Sequence, residues 1–153
     1  MLANRNDTRH TAMTDRIRRA ETVTPELMRT ILQHAVRLPD LNKADRAVAV
    51  LDGLIKAEAW IDAALAWAAI ETPQWRLRRL AHDGEVWHCA LSCRPQLPIE
   101  LDDTVDSTHS ILPLAIVLAV IETRSSRRWA ENRAVCDTPP FASEHVLCCD
   151  NFG

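Results

Sequence analysis

The sequence predicts an α+β domain in which two N-terminal helices precede a β-hairpin and a buried C-terminal helix packs on that hairpin. Three observations predict this class. Apolar residues recur at helical spacing within residues 24–71. Two extended runs flank the dipeptide Asp83-Gly84, which is typical of a hairpin turn. An apolar run at residues 111–121 follows the hairpin and has the length of a buried helix.

The two N-terminal helices are predicted from their start signals. Thr24 and Pro25 form a typical helix start, because threonine caps free backbone N–H groups and proline fits the first helical position. The apolar stripe that follows keeps to one helix face. Asn42 can cap a second, alanine-rich helix over residues 43–71. Gly53 weakens a helix interior by about 1 kcal/mol relative to alanine, so we expect a bend there.

The register of the hairpin is predicted from the composition of its two faces. Apolar side chains at the odd-numbered positions 87–93 alternate with small or polar ones, which predicts a strand half-buried on a core. A two-residue loop would place arginines on this apolar face. A three-residue loop pairs Ala81 with Glu85, groups like residues together and gives Gly84 the left-handed position that the loop requires. We prefer the three-residue loop, which leaves these side chains on the outer face: Arg76, Arg78, His88 and Ser92.

The C-terminal helix is predicted to begin at Asp102 or Asp103, where carboxylates cap free N–H groups and complement the helix dipole. Apolar residues then recur at helical spacing through residue 121. Pro113 lies inside this stretch, and we expect a kink or a break near Ser110 because proline removes a hydrogen bond and clashes one turn back. The apolar run falls short of the roughly 20 residues that span a bilayer, which predicts a buried helix.

This part of the chain resembles a known family. The string WRLRRLAHDGEVWHCALSCRPQLPIELDD, together with the following stretch that holds His109 and Pro113, is similar to a family of small uncharacterised proteins from alphaproteobacteria. The similarity covers about residues 42–124. The resemblance implies the same hairpin and helix, and it implies no activity, ligand or partner.

Composition and charge favour an ordinary soluble domain. The 153 residues carry a net charge of −3, which gives no indication of nucleic-acid or membrane binding. Three glycines exclude a glycine-rich phosphate loop. The five cysteines form no Cys-x-x-Cys pair and no apolar signal segment opens the chain, so we expect a cytoplasmic protein with reduced thiols.

The expected domain organisation is one globular unit over residues 14–133, flanked by two tails. Residues 1–13 are polar and low in apolar side chains, which predicts a disordered tail. Residues 134–153 hold two adjacent prolines and two adjacent cysteines without apolar periodicity, which predicts a poorly ordered C-terminal tail.

The sharpest candidate site is the acidic segment at residues 102–106. Its string, Asp-Asp-x-x-Asp, is the magnesium-diphosphate motif of isoprenoid synthases. Those enzymes are large helical barrels with two acidic clusters, whereas this chain has one cluster and a hairpin, so we reject that family. On a helix, Asp102, Asp106 and His109 would share one face and could hold a divalent metal. The alternative is that an acidic first turn only offsets the helix dipole.

Cysteine chemistry is a second candidate. Cys89 and Cys93 are predicted on the inner face of the hairpin and His88 on the outer face, so one zinc ion cannot easily collect all three. Cys89 with His109 as its base would form a nucleophile pair. The alternative is that both cysteines are small core residues, as free cysteines usually are.

The predicted function is that of a small soluble interaction or regulatory protein, and no catalytic residue is assigned. Arg76, Arg78 and His88 are binding candidates on the outer face, where they suit an acidic partner. A two-stranded sheet leaves unpaired edges, and a second copy of the chain is the simplest partner for one. The sequence therefore predicts a homodimer through the hairpin edge. The alternative is a metal-dependent enzyme that uses the acidic segment with His109.

Overall fold

The computed structural model describes the backbone of residues 5–35 and 41–125 and the side-chain surroundings of residues 11–33 and 46–124. It confirms the α+β class, and four helices rather than two precede the hairpin. The elements in chain order are α1 (Arg5–Arg18), α2 (Pro25–Ala35), α3 (Leu41–Lys56), α4 (Trp60–Glu71), β1 (Arg76–His82), β2 (Trp87–Ser92), a 3-10 turn (Ile99–Leu101), β3 (Thr104–His109) and α5 (Leu112–Ser125).

Helix α1 overlaps the N-terminal segment that the sequence predicts to be disordered. The helix begins at Arg5, so residues 5–13 are helical. Met13 and Ile17 are buried, and the helix packs against α5. Met13 and Ile17, which are one turn apart, therefore anchor this mostly polar helix on the core. The predicted tail at residues 134–153 lies outside the described residues.

The predicted helix over residues 43–71 is two helices, α3 and α4, with the break at residues 57–59 instead of a bend at Gly53. Glu58 has a left-handed backbone with φ of 55°. Its N–H donates to the carbonyl of Ile55 (3.1 Å), and the N–H of Ala59 donates to the carbonyl of Leu54 (2.9 Å). These two bonds form a Schellman motif, which satisfies free carbonyls at the end of α3.

The hairpin forms around a different loop from the one predicted. His82 pairs with Trp87, so the connection comprises residues 83–86 and the three-residue loop is wrong. Gly84 does take the expected left-handed backbone, with φ of 103°. The carboxylate of Asp83 accepts hydrogen bonds from the backbone N–H groups of Glu85 and Val86, which stabilises this longer connection.

A β-bulge divides β1. Leu80 pairs with Cys89 and Leu77 pairs with Leu91, so the register shifts by one residue between them. The extra residue is Arg78, which no β2 residue opposes. A bulge bends the strand and redirects the side chain at the extra position. This bulge therefore determines where the Arg78 guanidinium points.

A third strand occupies the position predicted for the start of the C-terminal helix. β3 pairs antiparallel with β2 along its length, and the sheet order is β1-β2-β3. The prediction that a helix begins at Asp102 or Asp103 is therefore wrong. Pro113 lies in the first turn of α5, where a proline loses no hydrogen bond. The structure does break near Ser110, but the break separates β3 from α5 rather than two segments of one helix.

Helix α5 is the centre of the core. It packs on β3 and β2 and also contacts α4 and α1, which confirms that the C-terminal helix covers the hairpin. Residues 114–121 are all buried, as is typical of a short helix that is apolar on every side. Within the described residues, no helix is both long enough and apolar enough to span a bilayer.

Candidate functional site

The free edge of β1 is the first candidate site. β1 lies at one edge of the sheet. Residues opposite each other in an antiparallel pair share a face, so Leu77 and Leu80 lie on the same face as Leu91 and Cys89. The two β2 residues are buried, whereas Leu77 is 43% and Leu80 is 37% exposed. The difference arises because α5 packs over β3 and β2, leaving an apolar strip along β1.

The backbone of β1 also presents polar groups at this edge. The N–H of Asp83 donates to the carbonyl of Val86 (3.3 Å) at the start of the hairpin ladder. Hydrogen-bonded and non-hydrogen-bonded pairs alternate along an antiparallel ladder. We infer that Ala81 bonds to β2, while the N–H and C=O groups of Leu80 and His82 point to the free edge. This edge offers both backbone partners and apolar side chains to another strand.

The sequence predicts Arg78 as an available binding residue on the outer face, but in the structure its side chain is engaged. Its guanidinium forms an ion pair with Asp102 and donates to the carbonyl of Leu97 (2.9 Å). Asp102 also accepts from the hydroxyl of Ser92 and from the backbone N–H of Arg94 (3.2 Å). The Asp102 side chain is 0% exposed. This cluster holds the β2–β3 connection against the bulge, so the Arg78 guanidinium is engaged within the fold.

His88 is also engaged. Its Nε2 lies 2.8 Å from Oδ2 of Asp83, and the other oxygen of Asp83 accepts from the N–H groups of Glu85 (3.1 Å) and Val86 (3.0 Å). The hydrogen bond from His88, followed by those two N–H groups, holds the pKa of Asp83 well below its ordinary value. Both side chains are exposed, so His88 mainly orders the turn.

Arg76 is the binding candidate that keeps an available charge. It pairs with Ser92, and Arg79 pairs with Ala90, so both arginines lie on the outer face of β1, and both are exposed. Among the described residues, no carboxylate forms an ion pair with either side chain. The β1 edge is therefore basic on its outer face and apolar on its inner face.

The structure does not bring the three predicted metal ligands together. Asp102 is buried in the cluster with Arg78, and Asp106 is exposed on the outer face of β3. His109 lies on the inner face, because odd and even positions of a strand point to opposite sides. The described residues contain no group of three or more histidine, cysteine or acidic side chains placed to hold a metal.

His109 instead joins α1 to the sheet. It is buried, and its Nδ1 accepts from the backbone N–H of Ile111 (2.9 Å). The proton is therefore on Nε2, which donates to the carbonyl of Ile17 (3.1 Å). Both ring nitrogens are occupied, so His109 cannot act as a base for Cys89.

Cys89 lacks the properties of a nucleophile. It is buried on the inner face of β2. Burial, with a smaller effect from the Asp106 carboxylate, raises the pKa of its thiol to about 12. A reactive cysteine needs a lowered pKa, because the thiolate is the attacking form. The structure therefore favours the interpretation of Cys89 as a core residue.

Sequence reasoning missed a groove between α3 and α4. The groove is open, has a volume of about 590 Å³ and contains one charged side chain. A signal was available in the sequence: residues 47–51 and 63–70 carry no charge, although both helices border solvent. A surface helix usually has a polar face. The groove is lined by Arg46, Ala47, Val50, Leu51, Ala66, Ala69 and Ile70.

Comparisons with family models, curated proteins and solved structures found no match for this chain. The resemblance of residues 42–124 to an alphaproteobacterial family therefore stays a prediction.

Proposed function

We propose that this protein is a small interaction or regulatory protein of the cytoplasm that forms a homodimer through the free edge of β1. One observation carries the proposal. Leu77 and Leu80 are exposed on a face where the adjoining β2 residues are buried. A strand added at this edge would use the free backbone groups and cover both leucines.

The charges on β1 favour one register for two copies. If the two-fold axis passes through Arg79, two arginines stand directly opposite each other, which is destabilising. If the axis passes through Leu80, each Leu80 meets its copy and Arg79 stands opposite Ala81 of the partner subunit. Leu80 directs its backbone groups outwards, as the second arrangement requires. The bulge at Arg78 limits the paired stretch, so the leucine contacts supply much of the stability.

The sequence also raised a metal-dependent enzyme as an alternative. That alternative required Asp102, Asp106 and His109 to share one helix face. Residues 104–109 form a strand, and Asp102 is enclosed by protein donors. No observation on the described residues favours this function over an interaction protein.

Sedimentation velocity at several micromolar concentrations tests the dimer. The wild-type chain should sediment increasingly as a dimer as its concentration rises. Leu80→Glu should raise the dimer dissociation constant at least about tenfold, which corresponds to about 1.4 kcal/mol, because two carboxylates would meet at the axis. Val48→Glu is the matched control, since Val48 is similarly exposed but lies on α3, outside the sheet. A wild-type monomer throughout this range would refute the proposal.

Proline substitutions separate the edge from the fold. Leu80→Pro removes an N–H that points away from β2 and should weaken the dimer while the monomer stays folded. Ala81→Pro removes an N–H that bonds to β2 and should unfold the hairpin. Arg78 is unsuitable for this test because it holds Asp102. A dimer that survives Leu80→Pro unchanged would place the interface elsewhere.

A further inference from the structure

The groove between α3 and α4 is separate from the β1 edge. Ala47, Ala66 and Ala69 form part of its wall, and such small side chains let another backbone approach closely. The lining residues lie within residues 46–51 of α3 and residues 66–70 of α4. The groove therefore extends over about one and a half turns of each helix. A short connection at residues 57–59 joins the two helices, as in an αα-hairpin.

Apolar exposure extends beyond the groove itself. Val50, on its α3 wall, is 53% exposed. On α4, Ile61, Leu65 and Ala69 recur every four residues and are all exposed, so they lie along one face over about 12 Å. A contiguous apolar surface of this kind on a soluble protein typically marks a binding site.

We infer that this groove docks an amphipathic helix of a partner protein, with a carboxylate of that helix beside Arg46. An amphipathic helix presents apolar residues at positions i, i+3, i+4 and i+7 to a groove of this form. Its apolar stripe would contact Val50 and the alanines, and its flank would cover Ile61 and Leu65. This inference does not depend on the dimer at β1.

The charge at the groove selects the partner. Arg46 is the charged residue of the lining, and among the described residues no carboxylate forms an ion pair with it. Two other cations, Arg29 on α2 and Lys56 at the end of α3, do not line the groove and form ion pairs with Asp52. An acidic side chain on the docked helix would therefore complement Arg46, which favours acidic over basic helices.

A small amphiphile such as a fatty acid is the competing occupant. Its carboxylate would also pair with Arg46, and the volume of the groove falls within the range of small-molecule sites. A single acyl chain, however, would leave the stripe from Ile61 to Leu65 in water. A helix covers both the groove and the stripe, so we favour the helix.

Fluorescence anisotropy with two synthetic peptides tests the inference. Each peptide is a fluorescein-labelled amphipathic helix of about 18 residues, long enough to be helical. One carries glutamates beside its leucine stripe, and its twin carries lysines at the same positions. The wild-type protein should bind the acidic peptide at least about tenfold more tightly than the basic one. Arg46→Glu should reverse that preference.

Two valines on α3 give a matched pair of variants. Val50→Glu places a charge in the groove and should weaken binding of the acidic peptide at least about tenfold. Val48→Glu makes the same change at a residue that is 45% exposed but does not line the groove, and it should bind like wild type. Circular dichroism of both variants checks that they are folded.

Four outcomes would overturn the inference. One is that the acidic peptide fails to bind the wild-type protein at micromolar concentrations. Another is that Val50→Glu and Val48→Glu bind it equally well. The third is that fluorescently labelled decanoate binds the wild-type protein while neither peptide binds, which would assign the groove to a small amphiphile. The fourth is that the Val50→Glu variant is a monomer at concentrations where the wild-type protein is a dimer, which would mean that a second copy of the chain occupies the groove.

Discussion

Asp102 shows how one residue supports two different hypotheses. In the sequence it belongs to an acidic segment and suggests a metal ligand. In the fold it accepts from Arg78, Ser92 and the backbone of Arg94, and its side chain is fully buried. A buried carboxylate needs such donors, because an unpaired charge in the interior is costly. The sequence identified an unusual residue correctly but gave no means of finding its partners.

Asp102→Ala should lower the free energy of unfolding by about 3–5 kcal/mol, because it leaves the Arg78 guanidinium without its partner in a mostly buried site. Urea denaturation measures this change. Arg18→Ala is the control, since it breaks an exposed ion pair with Glu122 and should cost about 0–1 kcal/mol. Equal losses in the two variants would show that Asp102 is not a buried acceptor for Arg78 and Ser92.

Cys89 should resist alkylation in the folded protein. Its thiol has a pKa raised to about 12, so the thiolate is scarce at pH 8, and burial blocks the reagent. Iodoacetamide at pH 8 followed by peptide mapping should show Cys89 unmodified in buffer and modified in urea. Cys93, which is partly exposed, is the internal comparison. Rapid native modification of Cys89 would restore it as a nucleophile candidate.

At the scale of elements, β3 was the main feature that the sequence did not predict. Leu101, Val105 and Leu112 happen to match helical spacing. The inner face of β3 carries Ser107 and His109, which are buried yet polar, so the strand lacks an apolar alternation. Ser107 is accommodated because it donates to the carbonyl of Ala115 on α5 (2.6 Å). Only the tertiary contact explains this strand.

The hairpin was predictable as an element but not in its register. Asp83 and Gly84 correctly indicated the turn. The loop length, however, depends on the hydrogen bonds that the Asp83 carboxylate accepts from Glu85 and Val86, and the register beyond it depends on the bulge at Arg78. That bulge is tied to Asp102, a residue distant in sequence. Local composition could not reveal either feature, and the predicted loop length was therefore wrong.

Glu58→Gly should raise the free energy of unfolding by about 0.5–1 kcal/mol. Glu58 ends α3 with a left-handed backbone conformation. This conformation costs a residue with a Cβ about 1–2 kcal/mol. Glycine avoids that cost, but part of the gain is lost because glycine gives up more backbone entropy on folding. Thermal or urea denaturation measures the gain. Glu58→Ala is the control and should give no such gain, because alanine keeps the Cβ. A destabilised glycine variant would contradict the Schellman geometry.

At the scale of the whole molecule, α5 connects the two halves of the fold. The sheet covers one side of it, and α4 and α1 cover others. The sequence predicted this burial from the apolar run at residues 111–121. It could not predict that α1 joins the core, because that helix is polar apart from a few side chains. Its attachment depends on Ile17, whose side chain is buried and whose carbonyl accepts from His109.

Ile17→Ala should therefore destabilise the entire domain by about 2–5 kcal/mol, the usual cost of truncating a fully buried isoleucine. Far-UV circular dichroism and tryptophan fluorescence should follow one coincident urea transition, shifted to lower denaturant, since the helices and the sheet share one core. Ile61→Ala is the control, because Ile61 is exposed on α4 and should change stability by less than about 0.5 kcal/mol. If the Ile17 variant instead lost helix signal in an early, separate transition while the fluorescence midpoint stayed at its wild-type value, α1 would be an independent unit. In that case, the hydrogen bond from His109 would not couple α1 to the sheet.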